Sequence, residues 1–295
     1  MKVTRTFAET RAHYRGTVAL VPTMGFFHEG HLALIEAARR RAGTVVVSLF
    51  VNPLQFNDPA DLARYPRDLD RDAALAEAAG ADLLFAPPVE EMYPAPPAVR
   101  VSLPALSAEL EGAHRPGHLD GVVVVVAKLY AGLRPDLAFF GRKDAQQLAL
   151  VTRLAADLSF PLQVVGCPTL REQDGLALSS RNVFLAPADR AAALSLSRGL
   201  LAAADAAEAG ERSGAALEGV VGAELEAAGL AAEYVALADA ATATRIPALD
   251  RVAFLAVAAR VGAVRLIDNV FLDPAGAADR GDRLDRPSFL YAKGS

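Results

Sequence analysis

The chain has 295 residues, of which 53% are hydrophobic and 22% are charged. This composition excludes an intrinsically disordered polypeptide. The formal net charge of −5 gives no diffuse attraction for phosphate backbones or anionic lipid, so neither nucleic acid nor a membrane surface is an expected partner. Because the length exceeds what one hydrophobic core usually serves, we expect two domains.

Three further features bear on the location of the protein. The first 16 residues are too polar for a signal peptide, and the valine run 122–126 is followed by Lys128 well before membrane-spanning length. Cys167, the single cysteine, cannot form an intrachain disulfide, and its apolar surroundings favour a buried strand residue over a nucleophile. These features favour the cytoplasm and predict no membrane association.

Short apolar strands alternate with amphipathic helices from residue 17 onward. Such a series implies right-handed crossovers and a parallel sheet with helices on both faces. Sheets of this kind bind ligands at the carboxyl ends of their strands. The sequence therefore predicts a Rossmann-like α/β domain over residues 1–169. The predicted strands are 17–22, 44–50, 82–86, 137–140 and 162–167, and the predicted helices are 30–40, 69–79 and 145–158.

The valine run 122–126 can be interpreted in two ways. Its five β-branched residues favour a strand, whereas residues 127–133 continue with helical character. Propensity alone leaves both assignments open.

The pattern changes after residue 169, where predicted helices are grouped before predicted strands. That order is typical of an α+β arrangement with an antiparallel sheet. We expect residues 170–295 to form a smaller α+β C-terminal domain that acts as a lid. Its predicted helices are 187–209 and 214–228, and its predicted strands are 233–238, 251–258 and 263–272.

The segment PTMGFFHEGH, residues 22–31, joins the first predicted strand to the first long helix. His28 and His31 lie on one face at the start of that helix, where unpaired N–H groups and the positive end of the helix dipole suit phosphate. A bare His-x-x-His spacing is more often incidental or part of a metal site. The position directly after the first strand instead favours binding of a nucleotide phosphate.

Six blocks follow one another in the chain: PTMGFFHEGHLALI, SLFVNPLQF, YPRDLDRD, RPGHLDGV, FFGRKDAQQ and REQDGLALSSRN. The first contains the His-x-Gly-His signature of the nucleotidyltransferase superfamily, and the ordered series resembles the pantothenate synthetases. The resemblance spans residues 21–182, and ARVGAVRLIDN extends it into the second domain. It implies an AMP-forming carbon–nitrogen ligase, in which ATP and (R)-pantoate would give pantoyl adenylate and pyrophosphate. β-Alanine would then attack the acyl group, forming pantothenate and releasing AMP.

The resemblance also implies roles for individual residues. His28 and His31 would stabilise the triphosphate as negative charge develops, with His31 as proton donor. Lys143 would reach phosphate oxygens, while Ser179 and Arg181 would belong to a second phosphate loop; these five residues form the expected catalytic set. The residues implied for ATP binding are Met24, Gly25, His28, Gly30, His31, Gly141, Arg142, Lys143, Asp144, Leu170, Leu178, Ser179, Ser180 and Arg181.

Pantoate is a small carboxylate with two hydroxyl groups, and glutamine side chains can both donate to and accept from such a ligand. Gln55 and Gln147 match the pantoate-binding glutamines of the family, Gln55 would also contact β-alanine, and Asn52 lies in the same loop as Gln55. Mg²⁺ should accompany ATP, bound mostly through phosphate oxygens and water, with Asp72 as one carboxylate ligand. The resemblance further implies a homodimer.

Several positions depart from the family pattern. Phe26 and Phe27 replace a smaller Ala-Leu pair, Arg142 replaces a glutamate, Leu178 replaces a methionine, and Leu119 replaces a phenylalanine. None of these changes removes a charged or hydrogen-bonding group assigned to catalysis. Two other functions remain open: a nucleotidyltransferase that makes a dinucleotide or a CDP-alcohol without ligation, and a non-catalytic or RNA-binding relative of the tRNA synthetases. The acidic balance of the chain argues against the second.

Overall fold

The computed structural model describes residues 1–56, 59–96, 98–99 and 101–291. The chain divides into two compact units, the first comprising Met1–Phe27, His31–Phe140 and Leu150–Cys167, and the second comprising His28–Gly30, Gly141–Ala149 and Pro168–Ser295. The last four residues of the predicted lid, 292–295, lie outside the described residues.

Strands and helices alternate in the first part of the chain, up to Cys167. Single-turn 3-10 helices occur at Pro53–Gln55 and Arg142–Asp144. The other elements, in chain order, are β1 (Lys2–Thr4), α1 (Phe7–Arg11), β2 (Val18–Thr23), α2 (Glu29–Arg39), β3 (Thr44–Leu49), α3 (Pro59–Arg64), α4 (Leu69–Ala78), β4 (Leu83–Phe85), α5 (Val89–Met92), α6 (Pro104–Ser107), α7 (Leu110–His114), α8 (His118–Leu133), β5 (Leu137–Gly141), α9 (Ala145–Asp157) and β6 (Gln163–Cys167).

A parallel sheet lies at the centre of the first unit. Among the described residues it contains six strands in the order β1-β4-β3-β2-β5-β6. The near-continuous apolar runs of β2 and β3 are buried, as expected for a sheet covered on both faces. The two strands pair residue for residue from Val18 with Thr44 to Thr23 with Leu49. They therefore end together, and the loops that follow them start at the same edge of the sheet. The predicted α/β fold is confirmed.

The valine run 122–126 is part of the helix α8, so the helical alternative is the one observed. Val122, Val123, Val125 and Val126 are all buried, and a helix that is apolar on nearly all sides is typical of a protein interior. The β-propensity of these residues is overridden because burial, rather than the local backbone preference, decides the outcome.

One strand of the sheet was not predicted. β1 has three residues, two of them exposed, and it pairs in parallel with β4, with Lys2 opposite Leu83. So short a strand has no detectable alternation of apolar and polar residues.

The second unit contains an antiparallel sheet in the order β10-β9-β8, with two helices packed against it. This arrangement confirms the predicted α+β class. Short 3-10 helices occur at Ser180–Phe184 and Phe289–Tyr291. The other elements are β7 (Leu170–Arg171), α10 (Pro187–Glu208), α11 (Gly214–Ala227), β8 (Ala232–Asp239), β9 (Ala253–Val261), β10 (Val264–Leu272) and β11 (Asp282–Arg283).

The core of the second unit consists of aliphatic side chains from both helices and the sheet. Leu200 of α10 and Val221 of α11 belong to the same buried cluster as Leu255 and Leu266 of the sheet. β7 and β11 form a separate two-stranded parallel pair that the sequence did not predict. Among the described helices of the protein, none is long and apolar enough to cross a membrane.

Gly121 of α8 allows close approach of the Pro53–Gln55 turn. A Cβ atom at Gly121 would lie 2.3 Å from the carbonyl oxygen of Leu54. We therefore expect Gly121→Ala to displace this turn and to lower the free energy of unfolding by about 1–3 kcal/mol, the usual cost of overpacking. Urea denaturation measures this change.

The matched control is Gly219→Ala in the exposed part of α11, where a Cβ atom would meet nothing within 4 Å. Alanine there should raise the free energy of unfolding by roughly 0.5–1 kcal/mol, because glycine weakens a helix interior. Equal stabilities of the two variants would show that the contact at Gly121 carries no strain.

Candidate active site

The loop that follows β2 is held by a buried carboxylate of α4. The side chain of Asp72, only 1% exposed, accepts hydrogen bonds from the backbone N–H groups of Phe26 at 2.6 Å and Phe27 at 2.8 Å. Arg71 donates to the carbonyl oxygen of Phe27 at 3.0 Å. Gly25 has a φ of +88°, and a Cβ atom there would lie 2.9 Å from Asp72 Oδ2. The backbone between β2 and His28 is thus fixed by α4 and requires a glycine.

Burial raises the pKa of the Asp72 carboxyl above its usual value, while the N–H groups of Phe27 and Phe26 and the charge of Arg71 act in the opposite direction. Both carboxylate oxygens already accept backbone N–H groups, and Arg71 Nη1 lies 3.3 Å from Oδ1. This geometry supports a role in positioning the loop. The part of the chain that the structure describes has no group of three or more His, Cys, Asp or Glu side chains placed to hold a metal ion. The magnesium role of Asp72 stays a prediction.

His28 precedes the first residue of α2, and its ring orientation is set locally. The N–H of Gly30 donates to His28 Nδ1 at 3.1 Å, so neutral His28 carries its proton on Nε2, which is then a donor. A Cβ atom at Gly30 would lie 2.9 Å from the imidazole. The glycine of the His-x-Gly-His signature is therefore required by the histidine two residues before it.

His31 lies in the first turn of α2, and its ring packs against that of Phe27 with a centroid distance of 5.3 Å. The large residue at position 27, a departure from the family pattern, is fully buried and contacts a histidine assigned to catalysis. The structure places His31 in the first unit and His28 in the second.

The loop after β3 carries a buried pair of amides. Asn52 Nδ2 donates to Gln55 Oε1 at 3.0 Å and to the carbonyl oxygen of Gly121 at 3.0 Å. Gln55 Nε2 lies 2.9 Å from the sulfur of Met24. The structure therefore brings together Met24, assigned to ATP, and Gln55, assigned to pantoate. The orientation of the Gln55 amide is fixed from both ends.

Three side chains that support this loop, directly or through one another, were not assigned a role from the sequence. The Tyr93 hydroxyl donates to Asn52 Oδ1 at 2.9 Å, and burial raises the pKa of Tyr93, so the hydroxyl remains a donor. His118 Nδ1 lies 2.8 Å from the carbonyl oxygen of Gln55, and Arg115 Nη1 lies 3.0 Å from His118 Nε2. Since a carbonyl only accepts, His118 carries its proton on Nδ1 and accepts from Arg115. His118 and Arg115 belong to the RPGHLDGV block, which was the only available signal.

Lys143 lies in the 3-10 turn Arg142–Asp144 of the second unit, 3.7 Å from the Asp144 carboxylate. A side chain of β10 forms hydrogen bonds with the backbone of this turn. Asn269 Nδ2 donates to the carbonyl oxygens of Arg142 at 3.0 Å and Lys143 at 2.7 Å. Asn269 thus fixes the backbone from which the Lys143 ammonium projects. Gln147 follows in the first turn of α9 and is half-buried.

Asn269 is next to a buried ion pair. Asp268 and Arg171 are 3% and 2% exposed, and their two hydrogen bonds measure 2.7 and 3.1 Å. Arg171 Nη2 also donates to the carbonyl oxygen of Asn269 at 3.2 Å. The orientation of the Lys143 turn therefore depends on a bidentate pair in the interior of the second unit.

The segment that contains Ser179 and Arg181 is also preorganised. The Ser179 hydroxyl accepts from the N–H of Arg181 at 3.2 Å and begins the turn Ser180–Phe184. Arg181 is exposed. Leu178 donates its N–H to the carbonyl oxygen of Leu170 at 2.8 Å, and its side chain lies 3.9 Å from where a Cβ of Gly30 would be. Three residues assigned to ATP, Gly30, Leu170 and Leu178, thus lie close together.

A family model described as pantoate-beta-alanine ligase matches residues 1–271. The chain belongs to the pantoate–β-alanine ligase family. The resemblance to the pantothenate synthetases is confirmed, and with it the expectation of a ligase.

Individual members of the family are similar over nearly the whole chain. The pantothenate synthetase of Roseiflexus sp. (strain RS-1) is 48% identical over 277 residues, which cover 92% of this chain and 100% of that protein. The enzyme of Heliobacterium modesticaldum is 50% identical over 258 residues, covering 87% and 92%.

Solved structures show the same likeness. The crystal structure of pantothenate synthetase from Thermus thermophilus has a TM-score of 0.86 at 48% identity, covering 94% of this chain and 100% of that one. The pantoate-beta-alanine ligase of Francisella tularensis, complexed with beta-gamma ATP and beta-alanine, has a TM-score of 0.76 at 29% identity, covering 94% and 99%.

Arg142 is the residue expected from the resemblance to change a charge relative to the family, and the structure shows what it contacts. Its guanidinium forms an ion pair with Asp279 and lies 5.0 Å from the ring centroid of Phe271. The added positive charge is therefore matched by a carboxylate of the same unit, and the side chain is not simply solvated.

We expect Asp268→Asn to lower the free energy of unfolding by about 3–5 kcal/mol, because it leaves the buried Arg171 guanidinium without its counter-charge. Urea denaturation measures this loss. The double variant Arg171→Met with Asp268→Leu should recover most of the stability, since an apolar pair avoids the cost of desolvating two charges.

The control for this prediction is Asp157→Asn, which breaks the exposed Arg153–Asp157 ion pair on α9. It should cost less than about 0.5 kcal/mol. Similar losses for Asp268→Asn and Asp157→Asn would contradict the structural importance of the buried pair.

Proposed function

We propose that the protein catalyses the ATP-dependent ligation of (R)-pantoate and β-alanine to pantothenate through a pantoyl adenylate. The observation that carries the proposal is the family match over residues 1–271. The proposal is supported locally by the His28–Gly30 contact and by the fixed Gln55 amide, since both leave polar groups in defined orientations.

In the first step, a carboxylate oxygen of pantoate attacks the α-phosphorus of ATP, and the bond to the β-phosphate oxygen breaks. Pyrophosphate leaves with the electron pair. His28 would donate from Nε2 to a phosphate oxygen, and Lys143 and Arg181 would add positive charge as the leaving group becomes more negative. His31 would supply the proton to the leaving group. The remaining ATP contacts are those implied by the resemblance.

In the second step, the neutral amine of β-alanine attacks the acyl carbon of pantoyl adenylate. The bond between that carbon and the phosphate oxygen breaks, AMP leaves with the electron pair, and the amine nitrogen gives up one proton to water to form the amide. Gln55 would contact both acceptor and acyl substrate in the course of this reaction, and Gln147 would bind pantoate.

The geometry of Gln55 suits a ligand that has hydroxyl and carboxylate groups. An amide offers two N–H donors and two acceptor lone pairs. Contacts with Asn52 and Met24, among the described residues, use one acceptor site and one donor. Of the contacts that the described residues make, none uses the second donor or the second acceptor site, and pantoate would match these two.

We further propose that Mg²⁺ accompanies ATP and is bound mainly through phosphate oxygens and water, which is how magnesium usually binds with nucleotides. Asp72 is a candidate for one direct contact. The location proposed is the cytoplasm, since ATP is the substrate, and the proposed assembly is a homodimer, by family resemblance. Gel filtration with light scattering tests the homodimer.

The deciding experiment incubates the purified protein with ATP and pantoate, with and without β-alanine. AMP release that depends on β-alanine, with pantothenate identified by mass spectrometry, is the expected result. ATP consumption that is indifferent to β-alanine, without an amide product, would instead indicate a nucleotidyltransferase.

We expect His31→Ala to lower the rate of pantoate-dependent pyrophosphate release at least about a hundredfold, the scale expected for loss of a positioned proton donor or electrostatic donor. The matched control is His13→Ala, because His13 is exposed and its ring contacts Lys2. A near-wild-type rate for His31→Ala would exclude the proposed role.

We expect Gln55→Ala to weaken pantoate binding about tenfold or more, because a ligand group then loses two hydrogen bonds, each contributing about 1 kcal/mol. ATP binding, measured by calorimetry, should change by less than about twofold because the side chain is assigned to the acyl substrate. The control is Gln163→Ala at an exposed position. Equal losses for ATP and pantoate would indicate a folding defect and contradict the assignment.

A further inference from the structure

The segment Ser288–Tyr291 lies beyond residue 271, where the family match ends. Its Ser288 and Leu290 side chains are buried, although the surrounding sequence is polar and gave no sign of a structural role. The segment contacts two carboxylates of the second unit. One carboxylate belongs to a stretch of chain assigned to ATP binding. The other is hydrogen-bonded to the residue that follows a second such stretch.

The first carboxylate is that of Glu29, which lies between His28 and Gly30 and is 8% exposed. The Ser288 hydroxyl donates to Glu29 Oε2 at 2.7 Å, and the N–H of Phe289 donates to Oε1 at 2.6 Å. The N–H of Leu290 donates in turn to the Ser288 hydroxyl at 3.1 Å. Both oxygens of Glu29 are therefore bound by neighbouring residues of one short segment.

These contacts have two physical consequences. A buried carboxylate without donors is strongly destabilising, so the hydrogen bonds from Ser288 and Phe289 make it possible for Glu29 to be buried. They also fix the direction of the Glu29 side chain, and thereby the backbone at the start of α2. His28, whose imidazole is oriented by the N–H of Gly30, lies on that same piece of backbone.

The second carboxylate is that of Glu172. The Tyr291 hydroxyl donates to Glu172 Oε1 at 2.8 Å, and Asn182 Nδ2 donates to the same oxygen at 2.6 Å. Arg190 Nη2 donates to Oε2 at 2.7 Å. Asn182 belongs to the turn Ser180–Phe184, so Tyr291 shares a carboxylate with the residue that anchors this turn.

The Tyr291 hydroxyl is itself held in place. Arg190 Nη1 donates to it at 2.8 Å, and the guanidinium lies 5.7 Å from the centroid of its ring. Burial raises the pKa of Tyr291 to about 12, with the hydrogen bond to Glu172 acting in the same direction and Arg190 opposing it. The hydroxyl therefore remains protonated at neutral pH and acts as a donor to Glu172.

We propose that Ser288–Tyr291 is a positioning element for the adenylation step. It holds Glu29 and Glu172, so that the His28–Gly30 segment and the segment from Ser179 to Arg181 keep the geometry that binds a nucleoside triphosphate. The proposal rests on the proposed function, because that function assigns these two segments to ATP. The residues of the element act through Glu29 and Glu172 and do not themselves contact the reacting atoms.

The two half-reactions distinguish positioning from general stability. Adenylation requires a bound triphosphate, whereas pantothenate formation from supplied pantoyl adenylate and β-alanine does not. A segment that positions triphosphate-binding groups should therefore affect the first half-reaction and not the second. A segment that only stabilises the fold should affect both half-reactions equally or neither.

The experiment uses the full chain with the double variant Ser288→Ala and Tyr291→Phe. We expect kcat for pantoate-dependent pyrophosphate release to fall at least about tenfold, equivalent to loss of one or two hydrogen bonds in transition-state positioning. Pantothenate formation from supplied pantoyl adenylate should stay within about twofold of wild type. Glu29→Gln, which keeps the size of the side chain but removes an acceptor oxygen, should give the same selective loss.

Two controls accompany these variants. The single variant Ser288→Thr retains the hydroxyl group and the native Tyr291. Its adenylation rate should therefore be close to that of the wild type and not to that of the double variant. Arg286→Ala removes an exposed side chain from the same stretch of chain and should leave both half-reactions unchanged.

A parallel fall in both half-reactions, or unchanged adenylation with a lower unfolding temperature, would overturn the positioning role. Wild-type protein that releases no pyrophosphate with pantoate would overturn the proposed function, and this proposal with it. Active wild-type protein with an equally active double variant would overturn the positioning role alone.

Discussion

The turn that leads from β2 towards His28 depends on one buried carboxylate. Gly25 and Phe26 both have positive φ angles, 88° and 55°, and a non-glycine residue in this region costs roughly 1–2 kcal/mol. Asp72 offsets that cost by accepting the N–H groups of Phe26 and Phe27, the second of which is buried. The path of the chain between β2 and the His-x-Gly-His signature is therefore set by a residue of α4 about 45 positions further along the chain.

Acidic side chains have a consistent use in this protein. Asp72 in the first unit, and Glu29 and Glu172 in the second, are all buried, and each accepts hydrogen bonds from backbone or side-chain donors of its own unit. Each of them orders a stretch of chain that is assigned to ATP. A carboxylate with its oxygens bound in this way organises N–H and cationic groups nearby, while its own charge is balanced by donors. An acidic protein can in this way build a site for a polyanion from local groups, without a basic surface.

The sequence predicted the parts of the fold that follow from local periodicity. β2 and β3 are apolar runs, and α2 and α4 are amphipathic, so their places in an alternating α/β unit could be inferred. α8 was left open because the β-branched residues Val122–Val126 are in a helix for reasons of burial. The supporting contacts of the candidate site could not be predicted in the same way. Tyr93 with Asn52, Asn269 with Lys143, and Ser288 with Glu29 are all distant pairs, and no spacing rule connects them. The family blocks indicated His28, His31, Lys143 and Gln55 as candidates, but they gave no indication of the residues that hold them.

The ion pair between Arg142 and Asp279 has a consequence for comparing this protein with its relatives. The resemblance leads us to expect a glutamate at the position of Arg142, and a glutamate placed there in this chain would face the carboxylate of Asp279. The charges at positions 142 and 279 therefore depend on each other, although the two positions are 137 apart in the sequence. A chimera or a site graft that exchanges one of them must exchange the other, since a glutamate at position 142 would otherwise place two carboxylates side by side next to Lys143.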